Sequence, residues 1–178
     1  MEKKNNYVFT FLTIVAWIIF VGLCIEAGGL IVNFIFSLYK PEFVQNLYQK
    51  LDLSEMYTRS KWDFFNMYTF ILAISLLKAY LFYIVILLVS KLDLAKPFNS
   101  FVSAQITQIS YFTLSIGLLS SLAQHNAKNL LEQGYEIDIL DQFWADSEAF
   151  ILMSAIIYII ATIIKRGVEI QNENDLTV

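Results

Sequence analysis

Phe64–Ser90 reads FFNMYTFILAISLLKAYLFYIVILLVS, and its only formal charge is Lys78. A helix needs about 20 apolar residues to cross about 30 Å of hydrocarbon, and this run exceeds that. A helix on a soluble protein carries a polar face along its length; this one carries almost none. The stretch therefore predicts an all-α integral membrane protein. Working outward, three more segments are long and predominantly apolar: Tyr7–Tyr39, whose only charge is Glu26, Phe101–Ala123 and Phe143–Ile164. Four spans in 178 residues predict one transmembrane four-helix bundle over 1–178, with no separate soluble domain.

The composition agrees, being 57% hydrophobic and 16% charged where soluble domains run about 45–50% and about 25%. A net charge of −4 supplies no basic face for nucleic acid, so direct nucleic-acid binding is not expected. The single cysteine, Cys24, excludes an internal disulfide, and the single histidine, His125, excludes a multi-histidine haem or zinc site within one chain. No phosphate-binding glycine loop, nucleophile elbow or HExxH motif occurs, so neither catalysis nor a cofactor nor a metal is expected. Lys3 and Lys4 before an apolar run look like a signal peptide. But the uncharged stretch Tyr7–Ile25 exceeds the roughly 7–15 residues of a signal core, so it reads as an uncleaved helix. Cys24 reads as an inert core thiol and His125 as a solvated residue near a helix end.

The second and third spans are joined by Lys91–Ser100, KLDLAKPFNS, in which Pro97 suits a first helical turn; this is an antiparallel hairpin. Lys3, Lys4, Lys91, Lys96, Lys165 and Arg166 crowd one side of the spans. Lys40, Lys50, Arg59, Lys61 and Lys128 are spread through the longer connections 40–63 and 124–142 on the other. The denser side is expected to be cytoplasmic, which places both termini there. In the first outer connection, the spacing of Phe43, Val44, Leu47, Tyr48 and Leu51 predicts a short amphipathic helix lying on the membrane or capping the bundle. In the second, Gly134 is a helix stop, and Ile137, Leu140, Phe143 and Trp144 form an amphipathic lead into the last span. Trp62 and Trp144 are both expected at the outer interface.

Each span has one small or polar face. These are Gly22, Glu26, Gly29 and Asn33 on the first, and Tyr68, Ser75 and Lys78 on the second. The third carries Ser103, Thr107, Ser110, Gly117, Ser121 and Gln124, and the fourth Ser147, Ser154, Tyr158 and Ala161. Such stripes are expected to be packing seams between helices rather than a pore lining. An intramembrane charge costs about 2.5–3.5 kcal/mol on insertion scales, so Glu26 and Lys78 each need a partner or a purpose. With Asn33 and Ser75 they form the candidate intramembrane polar site. Three readings stand open: an ion pair fixing helix register, a hydrated cavity that binds an ion, proton or small ligand, or snorkelling to separate interfaces without contact. Counted from the inner side their depths differ by about 8–9 Å, and their side chains lean toward each other. The acidic residues Glu132, Glu136, Asp138, Asp141, Asp146 and Glu148 match no calcium loop.

After the last span comes the polar tail Lys165–Val178, KRGVEIQNENDLTV, whose last residues Asp175, Leu176, Thr177 and Val178 could dock in a partner's groove. The link Lys96-Pro97-Phe98, the run Lys165-Arg166-Gly167-Val168-Glu169 and the ending Glu173-Asn174-Asp175-Leu176-Thr177-Val178 carry a resemblance. The four-span chain resembles, over nearly its whole length, a bacterial family, the "domain of unknown function 2975". The resemblance implies a small four-helix protein of the bacterial cytoplasmic membrane, often encoded beside a short helix-turn-helix regulator, and supplies no catalytic residues. The expected function is a non-enzymatic interaction or regulatory partner of a cytoplasmic regulator protein, with the lipid bilayer and a second copy of the chain as further partners. The alternative is a small oligomeric transporter or ion-coupled carrier that uses Glu26 and Lys78.

Overall fold

The computed structural model describes residues 2–45, 47–48, 51–92, 98–137 and 140–175; the side chains described exclude those of 2–6, 41, 43, 174 and 175. Helix α1 (Glu2–Tyr39) is followed by a 3-10 turn (Pro41–Gln45), α2 (Ser54–Arg59), α3 (Lys61–Lys91), α4 (Ser100–Glu132), α5 (Asp141–Trp144) and α6 (Ser147–Asp175). No strand occurs among the described residues. Four helices, α1, α3, α4 and α6, are long and apolar enough to cross a membrane. The expected all-α four-helix membrane bundle is the architecture found. The hairpin between α3 and α4 is set by Asn99, whose Oδ1 accepts the Val102 amide at 2.9 Å and so caps α4. Its Lys96-Pro97 portion lies outside the described residues.

The helices pack in chain order: α1 on α3, α3 on α4, α4 on α6. Helices α1 and α6 are the two edges and make no substantial contact with each other. On α1 the face turned to α3 is Phe9, Thr13, Ala16, Phe20, Leu23, Ala27, Leu30, Phe34 and Ser37, an alternating four-and-three spacing that keeps one seam facing a neighbour. The expected face of Gly22, Glu26, Gly29 and Asn33 sits one residue around from this seam. Gly22 is exposed and has nothing within 4 Å of where a Cβ would stand. In so apolar a helix, bulky and small side chains set the seam, and the few polar groups lie on its flank. Cys24 is exposed on α1 rather than buried in a core, which corrects the expectation for that thiol.

The α4–α6 seam is built from small residues, as expected. A Cβ on Gly117 would stand 2.9 Å from the Ile151 backbone nitrogen and 3.1 Å from the Ser147 carbonyl oxygen. One and two turns away, Ser110 Oγ donates to the Ser154 carbonyl at 3.1 Å. Ser103, Ser110, Ser147, Ser154 and Ala161 are buried in this seam. On the same side of α4 it is Ser120 that is buried and Ser121 exposed, and Tyr158 stays half exposed, its ring 6.1 Å from that of Tyr111.

The described residues of the 40–53 connection do not form the expected amphipathic helix. After the 3-10 turn the chain folds back on itself, with Leu47 N donating to Leu51 O at 3.0 Å and Leu53 N to Val44 O at 3.2 Å. This closed loop buries Val44, Leu47, Leu51 and Leu53 together. Tyr48 lies against α1, where a Cβ on Gly29 would meet its ring. The loop caps the bundle.

Buried apolar side chains concentrate at that end. Phe64, Met67, Tyr68, Ile71 and Ile74 of α3 pack with Leu30, the buried leucines of the loop, α2, the far end of α4, Tyr135, Ile137, Leu140 and α5. Tyr68 Oη donates to the Leu30 carbonyl at 3.0 Å, and the rings of Phe34 and Tyr68 stack 5.3 Å apart. We call this region the head, and the Lys91–Ser100 end the hairpin end. Trp144 belongs to the head core: it is 1% exposed, and its indole N–H donates to Asp141 Oδ1 at 3.2 Å. It is therefore not an interface anchor, because α5 breaks from α6 at Ala145–Asp146 and turns the ring inward. Trp62 is 79% exposed.

Candidate functional site

Glu26 and Lys78 lie at one level of the bundle, where the head meets the membrane helices. Glu26 Oε1 accepts a hydrogen bond from Ser75 Oγ at 3.2 Å, across the α1–α3 seam. Lys78 is one turn along α3 from Ser75, and its Nζ donates to the Phe143 carbonyl at 3.2 Å. That carbonyl is near the end of α5, where backbone oxygens lack helical partners and favour a cation. The lysine reaches it by leaning toward its own helix N-terminus, as expected. Asp146 follows with φ 65°, a left-handed conformation that aspartate tolerates better than most residues, and starts α6 through Phe150 N to Asp146 O at 3.1 Å.

The ion-pair reading is corrected by this arrangement: no nitrogen–oxygen contact within 4.0 Å joins Glu26 to Lys78. Each is instead held by a neutral group, Ser75 or Phe143. The carboxylates of Glu26 and Asp146 act on the Lys78 ammonium through space only. Asn33, half-buried on α1 about two turns beyond Glu26, is not bonded to the other three residues. The site is thus Glu26, Ser75 and Lys78, with Asn33 separate.

On the head, sequence reasoning missed a latch. Arg59 at the end of α2 donates through Nη2 to Gln133 O at 2.6 Å and through Nη1 to Gly134 O at 3.3 Å. Its guanidinium lies 4.3 Å over the Tyr135 ring. Gly134, with φ 83°, ends α4 as expected. The released carbonyls are what Arg59 takes up; the glycine signalled that caps were needed, but nothing local pointed to a residue 75 positions away. Tyr135 Oη donates to Asp63 Oδ2 at 3.2 Å, tying the same segment to α3.

Burial first, then the hydrogen bond to Asp63 and its charge, raise the Tyr135 phenol above its ordinary range. A raised folded-state value means that this tie is present below the unfolded pKa, about 10, and is lost as pH rises through the folded one. The unfolding temperature should therefore fall more steeply between about pH 9 and 11 in the wild type than in Tyr135→Phe, measured by circular dichroism in detergent. Parallel pH profiles would remove the tie from the account.

At the hairpin end Phe98, which precedes α4, meets Gly167 of α6. A Cβ on Gly167 would stand 3.1 Å from Phe98 Cδ1, so the glycine seats the phenyl ring. Gly167 does not end α6, which runs through it to Asp175. The expected polar tail is thus largely helix, with Arg166 Nη1 2.8 Å from Glu169 Oε2 along it. Leu176, Thr177 and Val178 lie outside the described residues, as does the side chain of Asp175. Lys91 Nζ sits 5.4 Å from the Phe101 ring centroid. Exposed on the extension are Lys165, Arg166, Ile170, Gln171, Asn172 and Glu173.

Comparison with known proteins returned no matching family model, no matching curated protein and no matching solved structure.

Proposed function

We propose that this protein is a non-enzymatic, multi-pass protein of the bacterial cytoplasmic membrane that works through its hairpin end as the docking or regulatory partner of a cytoplasmic protein. The observation that carries this reading is the extension of α6. The helix continues ten residues past Lys165, about 15 Å at about 1.5 Å per residue, as a single rod. Its base is wedged by Phe98 against Gly167. A helix that leaves the membrane at Lys165 and Arg166, yet keeps Ile170 49% exposed, presents an apolar contact among charges. Lys91, Lys165 and Arg166 at this end support a cytoplasmic orientation under the positive-inside rule. A helix-turn-helix regulator, as the family resemblance implies, is one partner of the right compartment. The carrier alternative has less support, because on the head side of Glu26 and Lys78 the bundle is filled by Ile71, Ile74, Phe143 and Trp144.

A photo-crosslinking amino acid placed at Ile170 should trap a protein in living cells. Gly167→Leu, which displaces Phe98, should reduce that adduct at least about fivefold, a coupling of about 1 kcal/mol. The same crosslinker at Leu152, exposed on the membrane stretch of α6, serves as the control. Equal adducts at both positions, or none at Ile170, would sink the reading.

A further inference from the structure

The level of Glu26 and Lys78 can be fixed against the bilayer from the helices themselves. Along α6, exposed charges stand at Glu148 and again at Lys165, about 26 Å apart at about 1.5 Å per residue, close to one hydrocarbon thickness. Ser147, next to Glu148, touches Gly117 of α4. On α3, Ser75 stands about 24 Å and Lys78 about 20 Å from Lys91, at the opposite interface. The site is therefore at the headgroup edge of the leaflet on the head side, with exposed Asp146 and Glu148 beside it.

Three further features belong to this level. The two opposite charges are close enough to interact yet are held apart, on Ser75 and on Phe143 O. Each keeps unused capacity: an ammonium has three donors, of which one is spent, and Glu26 Oε2 has no hydrogen bond and is not a buried atom. Toward the hairpin end the bundle is open, since α1 and α6 do not pack together and Gly22, one turn from Glu26, has open space in front of it.

We propose that Glu26 and Lys78 form the headgroup seat of a phospholipid that carries both a phosphate and a primary ammonium, its acyl chains running along the open flank of α1 below Gly22. The phosphate takes the free donors of Lys78, and the ammonium donates to Glu26 Oε2. A headgroup with both signs separated by two carbons complements two fixed charges that do not touch. An anionic glycerol headgroup would set its phosphate on Lys78 but offer Glu26 only neutral hydroxyl donors. A quaternary ammonium has the charge but no N–H to donate.

The test is lipid retention by the full-length protein in detergent, read by native mass spectrometry. The protein is exchanged against phosphatidylethanolamine, phosphatidylglycerol and phosphatidylcholine of identical acyl chains. Wild type should retain phosphatidylethanolamine about tenfold over each of the others, the factor that one charge-assisted hydrogen bond supplies. Glu26→Gln should bring the ethanolamine-to-glycerol ratio close to one, while Lys78→Gln should lower retention of all three. Thr162→Ala, whose hydroxyl donates to Tyr158 O within its own helix away from the site, should keep the preference. Equal retention of the three lipids by wild type, a comparison that needs no variant to fold, overturns the proposal. So does an undiminished ethanolamine preference in Glu26→Gln. Neither result bears on partner docking at the hairpin end.

Discussion

Replacing Trp144 with alanine should cost about 3–5 kcal/mol, whereas Trp62→Ala should change stability by less than about 0.5 kcal/mol. Both indoles sit near the start of a long helix, and by sequence both look like interface anchors. Trp144 is 1% exposed and Trp62 is 79% exposed. Removing Trp144 leaves a cavity among Phe143, Leu140 and the head core and frees Asp141 from its indole donor. Thermal unfolding in a mild detergent would read the difference. Acrylamide quenching gives an independent check, since emission from Trp144 should be shielded and that from Trp62 should not. Equal, small costs for the two substitutions would return Trp144 to the interface.

The other large effect is at Gly117. Gly117→Ala should cost about 1–3 kcal/mol, because the new carbon would press on the Ile151 amide nitrogen and the Ser147 carbonyl, neither of which can swing aside. Gly117→Leu should force α6 away from α4, exposing the chain around Ala145 and Asp146 to protease and abolishing a cooperative transition. Ser115→Ala is the control: its hydroxyl donates to Tyr111 O within its own helix and should cost a few tenths of a kcal/mol. A Gly117→Leu protein that unfolds at the wild-type temperature would refute the close α4–α6 seam.

Sequence periodicity and length located the membrane helices because a bilayer imposes a coarse requirement, uniform apolarity over about 20 residues. It could read the small-residue stripe on α4 for the same reason: only small groups permit close helix approach. It failed by one residue on α1, where nearly every side chain is apolar and the seam is decided by how Phe20, Leu23 and Ala27 fit α3. The head was less legible still. Arg59 and Gly134, or Asp63 and Tyr135, meet across more than 70 residues, and neither partner has a local signature. For Glu26 and Lys78, the spacing gave the leaning of the lysine, but it set the two at depths about 8–9 Å apart where the structure holds them at one level. The neutral partners that hold them apart came from elements no pattern announced, above all the four-residue α5.

Helices α1 and α6, the two edges of the bundle, do not ask for the same membrane. Along α6 the charge-free stretch from Ala149 to Ile164 spans about 24 Å, whereas the span Tyr7–Tyr39 on α1 covers about 50 Å at about 1.5 Å per residue. On its head-side half α1 still exposes Ile31, Val32, Ile35, Phe36, Leu38 and Tyr39. A flat bilayer cannot satisfy both edges. It must rise along α1, thin along α6, or let the whole body tilt, and each response costs elastic energy that grows with the mismatch. The fold therefore makes bilayer thickness a mechanical variable, answered by the lipid surface along one edge or by the tilt of one small protein.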